Sequence, residues 1–224
     1  RNFEIILECE YMDARTKEAV RYLGFGRNTV DEQTKKLISE AFAELDRIAR
    51  PKAVHRIFSC TQREEEIQIG TMKVHSKNLA RNLQGCSQTV LMATTLGIEV
   101  DLAMRRYALT DMARVVIFQA CAAAMLEEFC DSCQEQIAVE MAPEYKGMRP
   151  RFSPGYGDFD IHHQEEILRM LDAHKKIGLS MTESYMLTPT KSVTALIGFA
   201  EKETGCPKSG CEVCEKKDCI YRRT

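Results

Sequence analysis

Apolar residues Leu37, Ile38, Ala41, Phe42, Leu45 and Ile48 recur at steps of three and four, the period that lines one face of an α-helix. That spacing predicts an amphipathic helix over 31–49. Pro51 stops it, because proline lacks the N–H and clashes with the preceding turn. Segments 54–61 and 66–69 alternate imperfectly between apolar and polar side chains, as half-buried strands of a mixed sheet do. The run QTVLMATT at 88–95 is continuous, apolar and β-branched, which predicts a central strand covered on both faces. Helices follow over 98–107 and 111–136, and the second is apolar nearly all round between positions 112 and 125. Such a helix lies in the middle of a domain, with other elements packed over it. It emerges from the core where Glu127, Glu128 and Asp131 begin.

Weaker signals complete the map. Residues 3–7 read as a short strand, and 16–23 as a helical turn or two before Gly24 and Gly26. Ser76 is suited to cap a short helix over 77–83. A further helix is expected over 164–177, and strands over 179–187 and 192–199 around the turn Thr188-Pro189-Thr190. Helices and strands mix without a regular βαβ alternation. The fold class predicted for residues 1–200 is therefore α+β, a largely antiparallel twisted sheet with helices. Residues 201–224 have hardly any large apolar side chains but four cysteines, so they form a Cys-rich appendage that cannot build its own core.

Charge and targeting narrow the function classes. A net charge of −2 gives no basic field for nucleic acid or an anionic membrane surface. No apolar run is long enough to span a bilayer, and the N-terminus lacks the pattern of a signal peptide. Ten cysteines without a targeting segment point to a reducing compartment, the cytoplasm, rather than a secreted disulfide scaffold.

Four of those cysteines, Cys206, Cys211, Cys214 and Cys219, follow the spacing C-x4-C-x2-C-x4-C. Thiols this close together in a reducing compartment are metal ligands. Gly205, Pro207 and Gly210 help the chain wrap, and Lys208, Lys216 and Lys217 offset thiolate charge. The donor set suits either a structural zinc knuckle or a [4Fe–4S] cluster. Cys130 and Cys133, three apart on the long helix, read as buried thiols, as do Cys9, Cys60, Cys86 and Cys121. His162-His163 reads as a helix-start feature, since adjacent helical residues do not face one another. Gly24-Phe25-Gly26-Arg27 lacks the strand and third glycine of a dinucleotide loop.

The stretch RPRFSPGYGDFD at 149–160 has no period and mixes arginine, proline, glycine and aromatic residues. Pro154-Gly155 fixes one φ and frees the next, which lets a ligand approach the backbone. Arg151 carries a planar fork suited to a carboxylate or phosphate, and Tyr156 adds a flat face with a hydroxyl edge. Glu183-Ser184 falls in the strand-like stretch TESYML. A buried carboxylate there needs a partner, for which Arg149 or Arg151 is available.

From Arg149 onward the chain resembles the reactivation domain of cobalamin-dependent methionine synthase. That domain carries R-x-x-x-G-Y, a helix, a T-E-S strand, a P-x-x-S-V turn and a second strand. The matching positions are Arg151, Gly155, Tyr156, Thr182, Glu183, Ser184, Pro189, Ser192 and Val193. Order and intervals agree over about fifty residues, and MLEEF at 125–129 resembles the acidic helix end that precedes the family's loop. GMRP at 147–150 also fits, so Arg149 competes with Arg151 for the family's arginine, and the interval to Gly155-Tyr156 favours Arg151.

The resemblance implies binding of S-adenosylmethionine and delivery of its methyl group to cob(II)alamin during one-electron reduction. It implies Arg151 at the ligand's carboxylate, Glu127 at its ammonium group, backbone of Pro154 and Gly155 lining the site, and Tyr156 toward the corrin. Glu183 and Ser184 would stand behind them. The family continues into a tyrosine-bearing segment where this chain has its cysteine tail. With no cobalamin module in view, the expected partner is a separate cobalamin-binding protein, a methionine synthase or other corrinoid protein, with a flavodoxin or ferredoxin as a further electron donor. The competing expectation is a non-catalytic module that binds a corrinoid protein and uses the tail as a zinc knuckle.

Overall fold

The computed structural model describes residues 13–25 and 30–201. The expected strand at 3–7, Cys9, part of the Gly24–Arg27 stretch and the four tail cysteines lie outside them. In chain order come helices α1 (Ala14–Tyr22) and α2 (Glu32–Ile48), then strands β1 (Lys52–Arg63), β2 (Glu66–Ile69) and β3 (Met72–His75). Helix α3 (Lys77–Asn82), strand β4 (Gln88–Thr95) and helices α4 (Ile98–Ala108) and α5 (Met112–Met141) follow. The C-terminal half adds β5 (Gly147–Met148), α6 (His163–Leu171), α7 (Ala173–Ile177), β6 (Ser180–Met181), β7 (Leu187–Thr188) and β8 (Ser192–Ala200).

Six strands form one sheet in the order β3-β2-β1-β4-β8-β5, and β6 pairs with β7 in a separate ribbon. Every neighbouring pair is antiparallel. Strand β4 lies between β1 and β8, with Val90 opposite both Ile57 and Ile197. Its alternate side chains feed two cores, which is why its sequence is apolar without a break. Val90 and Met92 join Ala195 and Ile197 beneath α1, α2, α4 and α5. Leu91 and Ala93 join Leu196 beneath α3, α6 and α7. Helices thus cover both faces of an antiparallel sheet.

Helix starts obey their caps. Asp31 accepts from the Thr34 N–H at 2.8 Å, and Asp111 from the Arg114 N–H at 3.0 Å. Ser76 accepts from the Leu79 N–H at 3.0 Å, as its position before α3 predicted. Cys130 and Cys133 are buried, and Thr94 Oγ1 lies 3.2 Å from Cys130 Sγ. Burial pushes the Cys130 thiol up to about 11, the behaviour of an inert core thiol. Cys60, Cys86 and Cys121 are likewise buried. No helix among the described residues is long and apolar enough to cross a membrane.

Several elements differ from expectation. Helix α5 runs on to Met141, because Ile137 and Met141 continue the buried stripe. The helix expected over 164–177 is two, separated at Asp172, whose φ of 53° is left-handed. The strand expected over 179–187 is a tight reversal between β6 and β7, with Tyr185 at φ 62°. Edge strand β3 carried a clean signal, Met72 and Val74 buried and Lys73 and His75 exposed. At four residues it is too short for that alternation to be distinctive.

Candidate functional site

The 149–160 loop is built onto the sheet edge. The Arg149 N–H donates to Gly198 O at 2.8 Å, and Phe152 exchanges two backbone bonds with Leu196, at 2.9 and 2.8 Å. Arg151 therefore stands on a nearly strand-like segment whose backbone is held from both sides. Beyond Pro154 the chain reverses at Gly155, φ 90°. The Gly155 N–H donates to Phe159 O at 2.8 Å, and the Phe159 N–H to Tyr156 O at 3.0 Å. Phe159, 1% exposed, anchors the reversal in the core against Phe152 and His163.

Asp158 fastens the far end of the loop. Its carboxylate accepts from Ser76 Oγ at 2.5 Å, the Lys77 N–H at 2.8 Å and the Asn78 N–H at 3.1 Å. The Ser76 hydroxyl and then those N–H groups hold the carboxyl down to about 2. These bonds bridge some eighty residues of sequence, so no local signal could have announced Asp158 as a fastening point.

Arg151 meets α5 through its whole fork. One terminal nitrogen, Nη1, lies 2.7 Å from Asp131 Oδ1 and 3.1 Å from Gln134 Oε1. The other, Nη2, lies 3.1 Å from Glu127 Oε2. Glu127, Asp131 and Gln134 are four and three residues apart, one face of a helix. The Arg151 side chain is 18% exposed, Glu127 32% and Asp131 62%. Burial opposes the arginine's charge, but the Asp131 bond and the surrounding negative groups outweigh it and raise its pKa. Half-buried Tyr22 of α1 also feels this site. Burial first, and then the charge on Glu127, push its hydroxyl up. Periodicity in the sequence gave no reason to place α1 here.

The two arginines of the loop have different surroundings. Arg149 is 3% exposed and donates from Nη2 to Gln84 O at 2.6 Å. Arg151 instead stands with Glu127 and Asp131 of α5. Tyr156 is 64% exposed at the tip of the loop, its ring 6.3 Å from that of Phe152. Pro154 is buried, and Gly155 is exposed.

Glu183 and Ser184 correct an expectation. Both are exposed in the reversal between β6 and β7, so Glu183 needs no buried arginine partner. Ser184 Oγ lies 2.9 Å from Thr182 Oγ1, closing the turn locally. What ties the reversal to the domain is Gln164, 5% exposed, whose Nε2 donates to Tyr185 O at 2.6 Å. Thr194 Oγ1 in turn donates to Gln164 Oε1 at 3.3 Å. His162 sits at the start of α6 beside Asp160 and meets Tyr185 edge-on at 4.4 Å. Among the described residues no group of three or more His, Cys, Asp or Glu is placed to hold a metal ion. An open concavity on the outer side of α5, lined by Ser132, Glu135, Gln136, Val139 and Glu140, excludes Arg151.

The antiparallel sheet covered by helices thus carries, on its edge, an arginine loop that faces an acidic stretch of α5. The family model for the vitamin B12-dependent methionine synthase activation domain matches residues 79–205. That is more than half of the 224 residues, and the chain belongs to this family. It is also similar in fold to the MetH reactivation domain, whose crystal structure was determined bound to AdoHcy. Identity is 17% and the TM-score 0.61, over 86% of this chain and 78% of that one. No curated protein sequence matches this chain.

Proposed function

We propose that this chain binds S-adenosylmethionine where the 149–160 loop meets α5 and supports reductive methylation of cob(II)alamin on a separate corrinoid protein, a methionine synthase. The observation that carries the reading is the Arg151–Glu127 pair, 3.1 Å apart, within the residues matched by the activation-domain family. Arg151 offers a fork to the ligand's carboxylate, and Glu127 offers a negative oxygen to its ammonium group. The neighbouring fold carrying AdoHcy supports the same ligand class.

The chain's own residues would bind and orient. Backbone at Pro154 and Gly155 lines the approach, since Gly155 has no side chain to block it. Tyr156, 64% exposed, would meet a docked corrin face. Cobalamin, when docked, supplies the methyl acceptor; the ligand leaves as S-adenosylhomocysteine. The one electron required comes from a flavodoxin or ferredoxin, or from a [4Fe–4S] cluster on Cys206, Cys211, Cys214 and Cys219. Four thiolates are a chemically fitting donor set for such a cluster or for zinc.

The test is calorimetric titration of the full chain with S-adenosylmethionine, alone and with a cobalamin-loaded methionine synthase. A saturable heat that the Arg151→Met variant loses supports the reading. No heat under either condition sinks it.

A further inference from the structure

We propose that Asp131 competes with the ligand's carboxylate for the Nη1 edge of Arg151, so that binding exchanges one carboxylate for another. The inference rests on the binding reading above. Three acceptors hold the Arg151 fork, but they are not equivalent. Glu127 engages Nη2, whereas Asp131 and Gln134 share Nη1, at 2.7 and 3.1 Å. The shortest of these contacts belongs to the most exposed carboxylate, Asp131 at 62% against 32% for Glu127.

Exposure decides which group gives way. Asp131 can turn into water with little desolvation to recover, while the more enclosed Glu127 keeps its place. Gln134 is neutral, holds the same nitrogen, and leaves Arg151 positioned when Asp131 departs. An incoming carboxylate would otherwise join two existing carboxylates around one guanidinium, an arrangement that like-charge repulsion disfavours. Asp131 is therefore a specificity-determining residue. It admits a ligand whose carboxylate can displace it, and leaves indifferent a ligand that has none.

The experiment compares wild type, Asp131→Asn and Asp131→Ala by titration with S-adenosylhomocysteine and with 5′-methylthioadenosine, which lacks the amino-acid moiety. An exposed ion pair is worth a modest amount, so both variants should bind S-adenosylhomocysteine about two- to five-fold more tightly. Affinity for 5′-methylthioadenosine should be unchanged. Circular dichroism checks that each variant is folded, and with two variants a fold defect in one leaves the other to decide. The proposal is overturned if S-adenosylhomocysteine binds wild type but binds both folded variants equally or more weakly. It is also overturned if 5′-methylthioadenosine gains as much, since the effect would then be general charge. If wild type binds neither compound, the binding reading itself has failed and the exchange falls with it.

Discussion

A methyl group added at Gly198 would lie 2.6 Å from Leu83 Cδ2, 2.8 Å from Cys86 Sγ and 3.2 Å from Arg149 Cγ. Glycine here is a packing requirement, because β8 must approach α3 and the buried arm of Arg149. Gly198→Ala should cost about 1–3 kcal/mol as overpacking, read as a lower midpoint in urea unfolding. An unchanged midpoint would show that Leu83 and Cys86 can retreat. At the ligand end, Arg151→Lys keeps the charge but loses the fork. Losing one charge-assisted hydrogen bond, about 1.5 kcal/mol, should weaken S-adenosylmethionine about ten-fold. Calorimetry checks it, and equal affinity would mean that only the charge matters. Arg151 could be singled out in the sequence as a candidate because its chemistry and its interval to Gly155-Tyr156 are local. The exposure of Glu183 was not, since TESYML has strand composition and only Tyr185 in the left-handed region turns it outward.

At the scale of elements, the loop depends on α3 through Asp158, and that dependence has a pH signature. The folded carboxyl is held down to about 2 from a usual 3.8, chiefly by the Ser76 hydroxyl. A depressed acid stabilises the fold above its unfolded value and loses that contribution as pH falls through the folded value. Asp158→Asn should therefore lower the melting temperature at neutral pH. The gap from wild type should shrink between about pH 4 and pH 2, where wild type also loses the charge. A gap independent of pH in thermal scans would assign the effect to shape instead. Helix α2 and strand β4 were legible from sequence because their burial is one-sided and complete, respectively. Strand β3 and the break at Asp172 were not. One is too short to show a period, and the other is a left-handed residue within an otherwise helical pattern.

For the whole molecule, both apolar cores close among the described residues, on the two faces of one sheet. The tail cysteines lie outside the described residues, and four thiols in a segment without large apolar residues need a metal to hold a shape. Two consequences separate the tail from the domain. Protein purified anaerobically should contain iron and acid-labile sulfide, and the pair Cys211→Ser, Cys214→Ser should lose both, because those two residues supply the C-x2-C bite. The same variant should keep its melting temperature and its affinity for S-adenosylmethionine, since neither core nor the Arg151 fork is touched. Electron delivery to the corrinoid partner should then require an external flavodoxin or ferredoxin, where the cluster of the parent chain relays electrons from an added one-electron reductant such as dithionite. Finding zinc without sulfide would remove the redox role of the tail and leave methyl-donor binding intact. A coupled loss of melting temperature and ligand affinity in the cysteine variant would overturn the separation, making the tail a structural member of the site.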